Sequence, residues 1–238
     1  MEKQEYFVAH IWEKGKKLKN QDSLAFWWMN KKGHHCLLGI ICDGIGGLEE
    51  GENASTYTVK QIIGWFLSEG YCEKHFTFLR KKIQQLSYQV HQELIEYGKE
   101  RKISLGTTIS FFILRDRKLL WAHCGDSRIY ILKRKRLRKL TKDHKEENGA
   151  LTRALGVGEW SLLDTGIIKL GKKDKILVCS DGFYRGLSEG EIKVIMDRKI
   201  NRNESAERII KQIAEKKRSI GEKDDISAIY LGFLEEKK

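Results

Sequence analysis

Three aspartates in this chain share one local setting: an apolar run leads into an aspartate with a glycine directly beside it. They read Ile40-Ile41-Cys42-Asp43-Gly44, Ala122-His123-Cys124-Gly125-Asp126 and Leu177-Val178-Cys179-Ser180-Asp181-Gly182. A carboxylate at a strand exit is held by a rigid element yet reaches into a cleft, and the glycine lets backbone come close to an ion or substrate. Asp22 and Asp224 stand beside two further strand-like runs, Ser23–Met29 and Ile226–Phe233, and can join the group. Carboxylate, carbonyl and water oxygens suit hard cations such as Mg²⁺ or Mn²⁺; with no histidine or cysteine required, zinc is disfavoured. Asp-Gly is also an ordinary turn signal, and the distinguishing feature here is one context repeated three times.

Gly44, Gly46, Gly47 and Gly51, ahead of a helical segment through Ala54 and Val59, could bend the chain beneath such an ion. Cys42, Cys124 and Cys179 precede aspartates by one or two positions, but strand alternation makes them small core residues instead of ligands. Other nucleophile chemistry finds no support. The chain lacks a G-x-S-x-G elbow, an H-E-x-x-H pair and a Walker loop, and its seven histidines are scattered.

Positioning these carboxylates requires strands, and the β-branched and aromatic runs supply them at Tyr6–Trp12, Ser23–Met29, Cys36–Cys42, Thr107–Leu114, Lys118–His123, Arg128–Lys133, Lys175–Cys179 and Ile226–Phe233. Two helical patterns fall between the third and fourth: Val59, Ile62, Ile63, Phe66, Leu67, then Leu79, Ile83, Leu86, Val90, Leu94, Tyr97. Each has the three-and-four spacing of a single buried face, as do Ala206, Ile209, Ile210, Ile213 and Ala214 near the end. Very short turns join the three strands after the helical pair, which predicts antiparallel neighbours, because parallel strands need long crossovers. An antiparallel sheet covered by helices follows.

Of the 238 residues 40% are hydrophobic and 33% charged, so a core can form and one domain over residues 1–238 is expected. The longest apolar run, about Cys36–Cys42, falls far short of the roughly 18 residues that span a bilayer. The start Met1-Glu2-Lys3-Gln4-Glu5 leads into no apolar signal core, which predicts a cytoplasmic protein. Five cysteines without CxxC spacing read as reduced thiols. The formal charge of +12, concentrated at Lys14–Lys19, Lys133–Lys139 and Lys211–Arg218, favours acidic or phosphorylated partners. Poor aromatic interleaving argues against a nucleic-acid face.

Eight short motifs then line up. They are Asn20-Gln21-Asp22-Ser23, Asp43-Gly44-Ile45-Gly46-Gly47, Gly106-Thr107-Thr108, Gly125-Asp126-Ser127-Arg128, Leu140-Thr141-Lys142-Asp143-His144, Leu151-Thr152-Arg153-Ala154-Leu155-Gly156, Ser180-Asp181-Gly182 and Asp224-Asp225-Ile226-Ser227. In this order they resemble the type 2C, metal-dependent serine/threonine protein phosphatases, bacterial type, across nearly the whole chain. The resemblance implies an α+β fold: a four-layer α-β-β-α sandwich of two antiparallel sheets flanked by helices. It implies two Mn²⁺ or Mg²⁺ ions at the sandwich edge. Asp43 would bridge them, the Gly44 carbonyl, Asp181 and Asp224 would complete the protein ligands, and Asp22 would hold water at the metals. Asp126 matches the carboxylate of a third, weaker metal. Hydrolysis would proceed by attack of a metal-bridging water on a phosphomonoester, with no phosphoenzyme. Phosphoproteins would be the substrates, a serine/threonine kinase the opposing activity, and a monomer the working form.

Departures from the family pattern are visible. Lys17 stands where many members carry the arginine that binds substrate phosphate, and Ile45 where a histidine often follows the bridging aspartate. The last motif reads Asp224-Asp225 instead of Asp-Asn, which adds a negative charge. The flap, about residues 143–156, is shortened. Two alternatives therefore stand beside the phosphatase: a phosphatase-like regulatory binding module with weak activity, and a two-metal phosphodiesterase or nuclease.

Overall fold

A computed structural model describes residues 6–31, 34–45, 48–70, 75–200 and 203–234. Gly46, Gly47, Cys72 and the two termini lie outside the described residues. The chain runs β1 (Tyr6–Glu13), β2 (Asp22–Lys31), β3 (His34–Asp43), α1 (Gly51–Trp65), α2 (Phe76–Arg101), β4 (Ile109–Arg115), β5 (Lys118–Cys124), β6 (Arg128–Lys133), β7 (Arg136–Lys139), β8 (Asp164–Lys169), β9 (Lys175–Cys179), α3 (Asp181–Tyr184), α4 (Glu189–Asp197), α5 (Asn203–Ser219) and β10 (Ile226–Phe233). Two antiparallel sheets form, in the orders β1-β10-β9-β6-β7 and β2-β3-β4-β5-β8.

The sheets face each other through Leu37, Ile41, Phe112 and Leu114 on one side and Ile129, Ile131, Val178 and Ile229 on the other. Outside the β2–β8 sheet, Leu38, Ile40, Phe111 and Ile113 pack on Ile62 of α1 and on Leu79, Ile83 and Val90 of α2. Outside the β1–β7 sheet, Tyr130, Leu177 and Tyr230 pack on Ile192 and Met196 of α4 and on Ile210 and Ala214 of α5. The four-layer sandwich is thus observed. It explains why β4 and β10 are buried at every residue: helices cover the face that an antiparallel sheet often leaves to water, so the strands read as continuous apolar runs.

Two strands and one connection differ from the sequence reading. β7 and β8 are edge strands with little burial, so neither carries the alternation by which strands are recognised. β4 and β5 pair as expected, but β5 and β6 belong to opposite sheets. The link between them, Gly125-Asp126-Ser127, crosses the sandwich edge. Gly125 makes the corner with a φ of 113°, and a Cβ there would lie 2.5 Å from the Thr108 side chain.

Candidate metal centre

Asp22 opens β2 and Asp43 closes β3, and the two are register partners across the ladder. Opposed like charges destabilise a sheet, so the backbone around them is held by other means. Asp43 N–H donates to Thr108 Oγ1 at 3.0 Å, its carbonyl accepts from Thr108 N–H at 2.8 Å, and Thr107 Oγ1 donates to that carbonyl at 2.9 Å. Gly44 donates to the Gln21 carbonyl at 2.9 Å and is so close to the start of α1 that a Cβ would lie 2.3 Å from the Gly51 carbonyl oxygen.

The other sheet brings Asp181, the first residue of α3 after β9, and Asp224, just before β10. A Cβ on Gly182 would sit 2.0 Å from the Asp225 carbonyl oxygen, so these two segments touch only because residue 182 is glycine. Asp126, in the crossing link, is buried; its carbonyl accepts from the Tyr184 hydroxyl at 3.1 Å and its carboxylate lies 3.4 Å from Lys145 Nζ. The two sheets therefore deliver Asp22, Asp43, Asp126, Asp181 and Asp224 to one edge, where Asp43 feels the charge of all four others.

Electrostatics marks the cluster. Burial first, then Asp22, Asp181, Asp126 and Asp224, push the Asp43 carboxyl well above the usual range. Burial raises Asp22 to about 7, with the Ser227 and Ser180 hydroxyls opposing and Asp225 and Asp181 adding. Burial, then Asp126 and Asp224, raise Asp181 to about 6. Burial would also raise Asp224, but the Lys17 ammonium 3.0 Å away brings it below its ordinary value. Three cations thus answer the acids: Lys17 on Asp224, Lys145 beside Asp126, and Arg185, which hydrogen-bonds Asp181 and lies 3.5 Å from Asp224.

The donors fit hard divalent cations. They are all oxygens, they repel one another until compensated, and Asp22 Oδ2 is buried without a hydrogen-bond partner. Among the described residues, no three His, Cys, Asp or Glu side chains stand close enough together to hold an ion as they are placed; Lys17 and Arg185 engage two of the carboxylates instead.

A pH prediction follows for the metal-free protein. Asp22 has a folded pKa of about 7 against an ordinary value of 3.8, so the folded state binds its proton more tightly and its contribution is lost as pH rises through 7. Asp22→Asn should therefore raise the Tm at pH 8 relative to the parent, raise it clearly less at pH 5, and leave it nearly unchanged only near pH 4. Melts in EDTA at the two pH values would refute the buried, raised carboxyl if the gain were equal at both.

Lys17 is half-buried at the site and not directed into solvent. Asp225, which reads as a surplus charge in the sequence, is a buried clamp: Oδ1 accepts from Gly15 N–H at 2.7 Å and Oδ2 from Gln21 N–H at 2.8 Å. It pins the loop that carries Lys17. Sequence reasoning missed Arg185, although its position four residues after Asp181 is the spacing of a helical ion pair. The predicted core role of the cysteines holds: Cys36, Cys42, Cys124 and Cys179 are buried and unbridged.

The segment after Asp143 is anchored beside Asp126. Arg128 grips Asp143 with contacts down to 2.6 Å and lies 3.6 Å over the Tyr184 ring. His144 donates its backbone N–H to the Gly125 carbonyl at 2.7 Å and stacks on His123 at 4.9 Å. Burial, then His144, hold the His123 imidazole down to about 4, so it stays neutral.

Both sheets, the order of the motifs and the edge cluster define one class, and comparison with known sequences agrees. The protein phosphatase 2C family matches residues 13–217, and the chain belongs to it: it is a metal-dependent protein serine/threonine phosphatase. The serine/threonine phosphatase stp of Listeria monocytogenes is 30% identical over 214 residues, 80% of this chain and 82% of that protein. Protein phosphatase PhpP of Streptococcus pneumoniae is 23% identical over 228 residues, 86% and 89% of the two chains. The fold is shared with the S. agalactiae serine/threonine phosphatase, at a TM-score of 0.81 and 22% identity over 97% of this chain and 100% of that one. It is shared too with the catalytic domain of the phosphatase PstP, solved with two manganese ions, at a TM-score of 0.76 and 22% identity over 97% and 99%.

Proposed function

We propose that this chain hydrolyses phosphoserine and phosphothreonine in proteins by direct attack of water, with two Mn²⁺ or Mg²⁺ ions held by Asp43, the Gly44 carbonyl, Asp181 and Asp224. Asp22 orders water at that pair, and Asp126 serves a third, weaker ion. The observation that carries the reading is the Asp22–Asp43 register pair, with Asp22 buried and its Oδ2 unpartnered and the Asp43 carboxyl raised by desolvation and by four neighbouring aspartates. The two manganese ions of the PstP catalytic domain support the metal count. Bound divalent ions would supply Lewis acidity and a lowered water pKa.

The chain's own groups do the rest. Thr107 and Thr108 fix the Asp43 backbone, so its carboxylate holds position while neighbours change charge. Asp22 offers a buried acceptor that orders a water proton. Lys17 and Arg185 are the cations at hand for the substrate phosphate, and both are freed from Asp224 and Asp181 once those carboxylates are otherwise neutralised. Among the described residues no side chain stands as an activated nucleophile, consistent with attack by water alone.

We further infer that the chain works in the cytoplasm as a monomeric single domain over 1–238, opposed by a serine/threonine kinase, with a shortened flap over 143–156. No helix among the described residues is long and apolar enough to cross a membrane. Incubation with Mn²⁺, a phosphothreonine peptide and a supercoiled plasmid tests the reading: phosphate release that EDTA abolishes, with intact plasmid, is expected. Plasmid nicking would establish the phosphodiesterase instead, and metal-independent silence toward the peptide the binding module.

Lysine offers phosphate a flexible point charge where arginine offers a fork. Lys17→Ala should raise KM for a phosphopeptide, at a cost of about 1–3 kcal/mol in transition-state binding, and Lys17→Arg should match or improve on the parent. If both variants keep the parental kcat/KM, the phosphate role passes to Arg185, and Arg185→Ala should then carry the loss.

A further inference from the structure

Six of the seven residues from Lys133 to Lys139 are cationic, and the seventh, Leu137, is half-buried. The fold places this run on an open edge. β7 is outermost in its sheet, with β6 on one side and, among the described residues, no strand on the other, and Arg134 and Lys135 form the tight turn between them at φ of 49° and 61°. Leu137 packs beside the core cluster beneath α4 and α5, whereas Arg136 and Arg138 alternate to the other side and are exposed. In a two-residue hairpin closed by Lys133 and Arg136, the N–H and C=O groups of Leu137 and Lys139 point away from β6. Among the described residues, Arg134, Lys135, Arg136 and Arg138 have no ion-pair partner, while Lys133 lies 3.8 Å from Asp174 and Lys139 3.0 Å from Asp143.

Charge on an edge strand guards against edge-to-edge association, and one or two lysines suffice for that. The run here also leads somewhere. β7 continues through Leu140, Thr141 and Lys142 to Lys145, whose Nζ is 3.4 Å from Asp126 in the carboxylate cluster. β6 starts two residues after Asp126 and ends at Lys133, so the hairpin tip stands roughly 20 Å from the cluster, about six residues of extended chain.

We infer that the β7 edge is a docking strip for an acidic flank of the phosphoprotein substrate, which lies along β7 while its phosphorylated residue sits at the carboxylate cluster. The inference rests on the phosphatase reading and adds a sequence preference to it. An open strand edge satisfies a peptide backbone by strand addition, and unpaired arginines select aspartate and glutamate. No aromatic side chain lies between Lys133 and Lys139 to stack a base, so peptide is favoured over nucleic acid.

The test compares the parent with Arg136→Glu/Arg138→Glu on three substrates: a phosphothreonine peptide with a block of Asp and Glu about four to eight positions from the phosphoresidue on either side, the same peptide with Gln in the block, and p-nitrophenyl phosphate. The parent is expected to prefer the better acidic peptide by about tenfold in kcat/KM, through KM and less so in high salt. The variant should lose that preference with p-nitrophenyl phosphate turnover unchanged, and the milder Arg136→Gln/Arg138→Gln should fall between. A preference retained in both variants, or an equal loss on all three substrates, overturns the strip. Fluorescence anisotropy of an unphosphorylated acidic peptide needs no turnover: binding lost in the variant supports the strip even if hydrolysis, and with it the phosphatase reading, fails. RNA of equal charge bound more tightly at the same residues would overturn the peptide assignment.

Discussion

Asp43→Asn should abolish phosphate release, by at least about a thousandfold, or about 4 kcal/mol of transition-state stabilisation, while the protein folds as before. Asparagine keeps the size of the side chain and leaves intact the backbone bonds to Thr107 and Thr108 that hold the residue. It removes the carboxylate that four other aspartates surround, and with it the charge that would join two cations. The metal-free variant should melt at the parental temperature or above it, since a like charge opposite Asp22 is gone. Added Mn²⁺ should raise the Tm of the parent and much less that of the variant. Phosphopeptide turnover, circular dichroism and melts with and without Mn²⁺ read all three effects. An active Asp43→Asn protein would end the binuclear assignment.

Asp225→Ala should cost about 3 kcal/mol of stability. The buried carboxylate accepts from both Gly15 and Gln21; charge-assisted bonds of this kind contribute more than neutral ones, and removal leaves two N–H groups without an acceptor. Asp225→Asn retains one acceptor oxygen and should lose about half as much. Loosening residues 15–21 also releases Lys17, so KM for a phosphopeptide should rise more than kcat falls. Urea denaturation together with steady-state kinetics decides it. If Asp225→Ala and Asp225→Asn both unfold at the parental urea concentration, the clamp is not structural, and relief of repulsion on Asp22 offsets whatever the two bonds contribute.

These two residues mark how far the sequence alone reaches. Asp43 was legible because its signal is local: an apolar run, an aspartate and a glycine within five positions, Ile40 to Gly44. The helical faces of α1, α2 and α5 were legible for the same reason, since period and burial are written in neighbouring residues. The motif order carried the layer architecture, and the observed sheets agree with it.

Contacts between distant segments could not be read this way. Asp225 meets Gly15 across 210 positions, so its role as a clamp has no local signature, and the same holds for Lys17 on Asp224. β7 and β8 escaped because an edge strand buries few side chains and shows no period. The short link after β5 read as a hairpin, yet the left-handed Gly125 turns it into a crossing between sheets, and that crossing brings Asp126 to the other carboxylates. The sequence by itself determined which carboxylates could gather into one site and where the buried strands and helices would lie, because propensity and periodicity act over a few residues. Only the tertiary structure decided which charges face each other, because burial and Coulomb interaction depend on distance in space and not on separation along the chain.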